Sequence, residues 1–290
     1  MKYLVTGGCG FIGSNLVRTL VNKGHDVTII DNLSTGSIDN IKPLDLQIVN
    51  SIEKINLLGG FDGIFHLGMP SSTPLYREDR KLVGKTISEF IIIMEHAKEY
   101  KTKVVYASSS SLYNGNKIPF KEDMNIIPTD FYTETRYAIE RLSKVYYDFY
   151  GVKSIGLRLF SVYGDNERSK GRFANLVSQI LWAKESGEVF DVYNKGETLR
   201  DFIHVDDVVE AFIKAMDSSI GWDIFNIGTG KAYTINDIIK AVGLRNYRYV
   251  ETPLKNYVTE TLADTSKAER VLGFKAKIDV MDYIKKKVSL

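Results

Sequence analysis

The stretch Lys2-Tyr3-Leu4-Val5-Thr6-Gly7-Gly8-Cys9-Gly10-Phe11-Ile12-Gly13 decides the reading of this chain. Lys2 to Val5 form a short apolar run of strand type, the glycines fall at 7, 10 and 13, and Leu16, Val17, Leu20 and Val21 then repeat at helical spacing. A strand that turns through glycines into a helix makes a phosphate site. Gly7 permits the tight turn, Gly10 lets the backbone approach a pyrophosphate, and Gly13 lets the helix lie close to the sheet with its N-terminus facing the anion. A second strand-type run, Val27-Thr28-Ile29-Ile30, ends in Asp31, eighteen residues after Gly13, where a ribose-binding acid belongs. A carboxylate there accepts hydrogen bonds from a 2′-hydroxyl and repels a 2′-phosphate, so the pattern predicts a dinucleotide ligand, NAD rather than NADP.

The 290 residues, 44% of them hydrophobic, suffice to bury a large core as one big domain or two closely joined ones. The 38 basic and 36 acidic residues are spread through the chain and leave a net charge of +2, which gives no electrostatic basis for binding nucleic acid or a membrane surface. No run reaches transmembrane length and the first strand begins at residue 2, leaving no room for a signal peptide, so the expected compartment is the cytoplasm. Cys9 is the only cysteine; neither a disulfide nor a metal site is expected, and Cys9 reads as a small residue of the turn.

Beyond Asp31, the loop Asn32-Leu33-Ser34-Thr35-Gly36 leads to further strand-type runs at 46–49, 61–67 and 103–107. His66, at the end of the second of these, has no partner motif and reads as a residue serving a local hydrogen bond. The loop that follows carries Ser71 and Ser72 at the sheet edge where ligands sit, which makes both candidate ligand contacts. Residues 82–97 form a helix that Ile87, Phe90, Ile91, Ile92, Ile93 and Met94 make apolar nearly all round, so it must be covered on more than one side. One cover is the sheet; the other is a second subunit, giving a homodimer, or the chain itself. The strand at 103–107 runs into Ser108-Ser109-Ser110-Ser111-Leu112-Tyr113, hydroxyls placed where a substrate oxygen would lie. A long helix from Asp130 to about Tyr150 has Leu142, Val145, Tyr146 and Phe149 as its apolar face. Near its start, Tyr132 and Arg136 are four apart, as are Tyr137 and Arg141, so either pair sets a cation beside a phenol and could make a general base for an alcohol hydroxyl.

Taken with Leu157-Arg158-Leu159-Phe160-Ser161-Val162-Tyr163-Gly164, Arg200-Asp201-Phe202-Ile203-His204-Val205-Asp206-Asp207, Phe225-Asn226-Ile227-Gly228-Thr229-Gly230 and Ala263-Asp264-Thr265-Ser266-Lys267, these motifs resemble the extended short-chain dehydrogenase/reductase family, and within it the nucleotide-sugar epimerase branch. The resemblance implies an α/β fold: a doubly wound parallel sheet of Rossmann type over 1–160, with a return segment near 200–228, and a smaller, discontinuous substrate domain over 161–290. It implies NAD contacts at Gly7, Gly10, Phe11, Ile12, Gly13, Asp31, Asn32, Ser34, Leu67, Tyr132 and Arg136. The family's serine or threonine four residues before the loop tyrosine falls on Ser109, and Pro128 and Arg158 both set the family's catalytic tyrosine at Tyr132 rather than Tyr137, which is then a packing residue. Glu140, eight residues after Tyr132, matches an acid common in that helix.

The chain departs from the family pattern in several places. The lysine four residues after the tyrosine is Arg136, which keeps the positive charge but presents a different shape. Ser161 stands for an asparagine, Asn114 for a glycine, Ser51 for an acid on the adenine side, and Leu254-Lys255-Asn256-Tyr257 for the late phosphate-binding arginine and Gly-Asp pair. Arg200 matches an arginine that contacts the substrate diphosphate, and Lys255 lies where it could add a second cation. Related dehydratases carry an acid two residues before the loop tyrosine; here that position is Ser111, which favours oxidation and re-reduction at C4 over elimination. The implied activity is therefore 4-epimerisation of a UDP-hexose-like nucleotide sugar, with Tyr132, Arg136 and Ser109 as the catalytic set and Ser71, Ser109, Ser110, Ser161, Arg200 and Lys255 on the substrate. Reduction of a 4-keto nucleotide sugar, or binding of NAD and sugar nucleotide without chemistry, stand as alternatives.

Overall fold

The apolar run at the N-terminus becomes an interior strand of a large sheet. A computed structural model of the chain describes residues 1–252 and 258–289. Its first part comprises β1 (Lys2–Thr6), α1 (Phe11–Asn22), β2 (Asp26–Ile30), β3 (Ile48–Val49), β4 (Gly63–His66), α2 (Thr73–Glu78), α3 (Leu82–Tyr100), β5 (Lys103–Ser109), α4 (Phe131–Tyr150) and β6 (Ser154–Leu159). The rest supplies β7 (Ser161–Tyr163), α5 (Leu176–Ser186), β8 (Phe190–Tyr193), β9 (Leu199–His204), α6 (Val205–Asp217), β10 (Trp222–Ile227), β11 (Ala232–Thr234), α7 (Ile235–Val242), β12 (Tyr247–Val250), α8 (Ser266–Leu272) and α9 (Val280–Val288).

Seven strands form one sheet in the order β10-β6-β5-β4-β1-β2-β3, and every neighbouring pair is parallel. This is the doubly wound fold, whose crevice opens where the strand order reverses, between the carboxyl ends of β1 and β4. The glycine turn leaves β1 on one side of that crevice and the 67–72 loop leaves β4 on the other. Helix α1 lies on the sheet through Leu16, Val17 and Leu20, all wholly buried, each worth about 1.5–3 kcal/mol of removed apolar surface. Beyond the large sheet, a three-stranded sheet (β11-β9-β7) and a two-stranded one (β12-β8) pack with α5, α7 and α9 around Tyr163, Val177, Ile180, Ile238 and Ile284. Between the segments that build this second core, α6 and β10 return to the first.

Some elements differ from their sequence reading. The run at 46–49 pairs only through Ile48 and Val49, because it is an edge strand with β2 on one side alone. The apolar circumference of α3 is covered by the chain only in part: Phe90, Ile93 and Met94 are buried, Ile87 and Ile92 are half-buried, and Ile91 is 36% exposed. On α4 the face expected to be core turns partly outward, with Val145 and Phe149 at 45% and 77% exposure. The face that enters the protein carries Tyr132, Arg136, Ile139, Glu140, Ser143 and Tyr146, because this helix must bring polar groups to the edge of the sheet as well as pack on it.

Candidate functional site

The turn after β1 is shaped by contact as much as by backbone conformation. Gly7 has a φ of +70°, and a Cβ on Gly13 would stand 2.0 Å from the Gly7 carbonyl oxygen, so α1 can begin this close to β1 only without a side chain there. A Cβ on Gly10 would meet only the Gly7 oxygen, at 3.2 Å, and otherwise project into open space. Gly10 is the extended N-cap of α1 and offers no side-chain acceptor to the first turn, which leaves those N–H groups for an anion. Asp31 is buried at the end of β2, accepting the Cys9 N–H at Oδ2 (2.9 Å) and the Leu33 N–H at Oδ1 (2.7 Å). A carboxylate has about four lone-pair sites, so the same oxygens retain capacity for ribose hydroxyls. Burial first, and the Asp31 charge second, push the Cys9 thiol up to about 12, which keeps it unreactive.

Two cavities meet over this turn. One, of about 380 Å³, is lined by Asp31, Asn32, Ser34 and Ser51 and reaches Leu67. The other, of about 420 Å³, holds Phe11, Ile12 and Gly13 together with Ser71, Ser109, Ser110, Tyr132, Arg136 and Ser161. They share Gly7, Gly10, Thr35, Leu67 and Met69, forming one groove along the carboxyl edge of the sheet. A larger cavity of about 570 Å³ lies beside Tyr137, Arg141 and Lys144, away from the glycine turn. It contains neither the 109–111 serines nor Tyr132, so size does not mark the site here.

Tyr132 stands in the first turn of α4, which is held by a reciprocal cap: Asp130 Oδ1 accepts the Thr133 N–H (2.8 Å), and Thr133 Oγ1 accepts the Asp130 N–H (3.0 Å). Its ring packs at 5.6 Å from that of Tyr76. The Arg136 guanidinium carbon lies 5.1 Å from the Tyr132 ring centroid. The fork of Arg136 is spent on the loop and strand below, with Nη2 donating to the Pro70 carbonyl (2.7 Å), Nη1 donating to the Ala107 carbonyl (3.4 Å), and Nη1 also against the Met69 sulfur (2.7 Å). Ser109 Oγ accepts the Ser111 N–H (3.1 Å), which leaves its own proton to donate into the cavity. The neighbouring Ser108 donates to Glu140 (2.5 Å). Glu140 is bound by both arms of Arg158, and Arg158 continues to the Tyr113 hydroxyl (2.7 Å), which donates to Asn226 (2.7 Å). This buried chain ties the serine loop to β6 and β10 and explains why Tyr113 is structural. His66, also wholly buried, is 2.8 Å from Thr6 Oγ1 through Nδ1. Burial, with the Arg136 charge second, drives it down to about 3, so it is neutral at ordinary pH.

Not every expected substrate residue reaches the groove. Arg200 lies on β9 with its guanidinium on the carbonyls of Leu199 (2.9 Å) and Val258, and it is not among the residues lining either cavity; backbone oxygens at the start of its own strand and beside it capture the side chain. Lys255 lies outside the described residues. Residues not anticipated do line the groove, among them Thr73, Lys170, Phe173 and Asn175. The only signal for the last three was a basic, periodicity-free stretch, Arg168-Ser169-Lys170-Gly171-Arg172, just before a helix.

The family described as "NAD dependent epimerase/dehydratase family" matches residues 3–228. A putative UDP-glucose 4-epimerase of Methanocaldococcus jannaschii is 34% identical over 99% of this chain and 97% of its own. The structure of UDP-glucose 4-epimerase with UDP-glucose from Thermotoga maritima superposes with a TM-score of 0.92 at 29% identity, over 100% of this chain and 98% of that one. The UDP-glucose 4-epimerase of Thermus thermophilus in complex with NAD does so with a TM-score of 0.90 at 25% identity, over 100% and 98%.

Proposed function

The chain belongs to the NAD-dependent epimerase/dehydratase family, and on that premise we propose that it interconverts nucleotide sugars differing in configuration at C4, UDP-hexoses first among them. The observation that carries this reading is the convergence of Tyr132, Arg136 and Ser109 on one cavity that has the glycine turn as its other wall. The residues present fit NAD: the opening above Gly10, the uncapped start of α1 and the Asp31 carboxylate make a cradle for a pyrophosphate and a ribose.

Bound NAD would supply a hydride acceptor that also returns the hydride, so the sugar is epimerised without net oxidation. The Tyr132 oxygen takes the proton of the 4-hydroxyl and restores it after the keto sugar has turned over. Ser109, with one lone pair occupied by the Ser111 N–H, donates to the same sugar oxygen and fixes its position. Arg136 opposes the negative charge that builds on Tyr132, as a fixed cation whose fork the Pro70 and Ala107 carbonyls hold in place. Ser111 offers no carboxylate to draw a proton from carbon, in keeping with a reaction that stops at C4.

Incubation with NAD and a panel of UDP-, dTDP-, GDP- and CDP-hexoses, followed by proton NMR, tests the proposal. The expected result is interconversion of one C4 pair without consumption of cofactor, abolished in Tyr132→Phe. Full activity in that variant, or net cofactor consumption, would overturn it. We also propose a homodimer through α3 and α4, supported by the outward Ile91, Val145, Phe149 and Tyr150 on these paired helices. Sedimentation of the wild type as a dimer and of Phe149→Arg as a monomer is expected; a monomeric wild type refutes it. Among the described residues no helix is long and apolar enough to cross a membrane, and the cytoplasm is the compartment this reading implies.

A further inference from the structure

A nucleotide sugar brings two phosphate charges into the groove, and these need cations. Among the described residues lining the Tyr132 cavity, the cations are Arg136 and Lys170 alone. The fork of Arg136 is turned to backbone carbonyls, and Arg200 is held on the Leu199 and Val258 oxygens. Lys170 is placed differently. Its Nζ is 3.1 Å from Glu167 Oε1 and 5.4 Å from the centre of the Phe11 ring, at the start of α1. Glu167 is 2% exposed and spreads its charge over two further donors, the Asn175 N–H at Oε1 (2.8 Å) and the Ser178 hydroxyl at Oε2 (2.6 Å). The carboxylate, itself held by those two hydrogen bonds, therefore fixes the direction of the ammonium, and an ammonium has three N–H donors, of which this contact uses one. Asn175, beside it in the cavity wall, is the N-cap of the eleven-residue α5, so a helix N-terminus adds its partial positive charge to the same wall.

We propose that Lys170, positioned by Glu167, grips the diphosphate of the substrate. This rests on the nucleotide-sugar reading above and names the residue that reads the anionic part of that substrate. The 165–175 segment, packed against the first turns of α1 through Phe11 and Asn15, then serves as the anion-binding wall of the groove for the substrate. A charge-assisted contact of this kind supports binding of any nucleoside diphosphate sugar and leaves base and sugar to be chosen elsewhere.

The test is calorimetric titration of the full-length, NAD-loaded protein with UDP, uridine and inorganic pyrophosphate, in wild type, Lys170→Gln and Lys170→Arg. Lys170→Gln is expected to weaken UDP by about tenfold or more, as loss of one charge-assisted contact does, and to leave uridine and NAD within about twofold. Lys170→Arg is expected to restore most of the UDP affinity. In turnover, Lys170→Gln should raise KM for the nucleotide sugar with kcat retained. Unchanged UDP affinity would reduce Lys170 to a structural ion pair. A parallel fall in NAD affinity would assign it to the cofactor, and loss of kcat at constant KM would assign it to proton transfer; each overturns the proposal. If wild type binds pyrophosphate through Lys170 but not UDP, the nucleotide reading fails and the anion site stands; if it binds neither, both fail.

Discussion

Replacing His66 by asparagine should flatten part of the protein's acid sensitivity. In the folded chain His66 is wholly buried and protonates only near pH 3, whereas the unfolded chain takes up this proton near the ordinary 6.5. The folded value is the lower one, so between these two pH values the unfolded state holds more protons and stability rises with pH. The contribution is fully present above about pH 6.5 and is lost as pH falls towards 3. At about 1.4 kcal/mol per pH unit the full span is worth about 5 kcal/mol, of which about 2 kcal/mol is gone by about pH 5. Asparagine still offers Thr6 a hydrogen-bonding partner near the Nδ1 position but does not titrate. Urea unfolding of both proteins at about pH 7.5 and about pH 5 isolates the effect, since the carboxylates that also respond to acid are common to both. The wild type should lose about 2 kcal/mol more than His66→Asn between the two conditions. Equal losses would refute the burial argument, and with it the exclusion of His66 from acid–base chemistry in the groove.

Further perturbations separate shape from chemistry. Gly13→Ala sets a Cβ against a backbone oxygen at 2.0 Å that cannot yield, and should abolish NAD binding together with thermal stability; Gly10→Ala has only a 3.2 Å contact to relieve and should keep its melting temperature while weakening NAD by about tenfold or more, as read by NAD titration and circular dichroism. Asp201→Ala strips the acceptor from the N–H groups of Thr229, Gly230 and Ala263 and from the Thr229 hydroxyl, and should cost about 3–5 kcal/mol in urea unfolding. Arg136→Lys should keep epimerase turnover within about tenfold, because the charge beside Tyr132 remains, whereas Arg136→Met should lose a factor of about a hundred or more.

The end of the groove that holds the glycine turn was legible because the signal there is local. A strand, a glycine turn and a helix N-terminus are specified within Lys2 to Asn22, and Asp31 follows at the end of the next strand. The offsets to Pro128 and Arg158 favoured Tyr132 over Tyr137, and helix geometry separates the two. At 3.6 residues per turn, five residues rotate the side chain by about 140°, so only one of the two can face the sheet edge. The structure sets Tyr132 in the cavity with the glycine turn and Tyr137 in the separate cavity beyond α4. Periodicity failed where a helix has three faces to satisfy: the apolar residues of α3 and α4 identify surfaces that avoid water without saying whether this chain or another covers them.

What the sequence by itself determined is the class of fold, the glycine turn with Asp31 beyond it, and the residue types that could line a groove there, because each rests on backbone conformation or spacing within a few turns of chain. What only the tertiary structure decided is which charges are free to meet a ligand. Arg200 is captured by carbonyls, Arg136 turns its fork to Pro70 and Ala107, and Lys170 is brought to the cavity by a carboxylate that two other groups already share. Whether a cation is spent or available depends on acceptors that arrive from distant parts of the chain, as Pro70 and Ala107 do for Arg136, and that proximity exists only once the chain has closed.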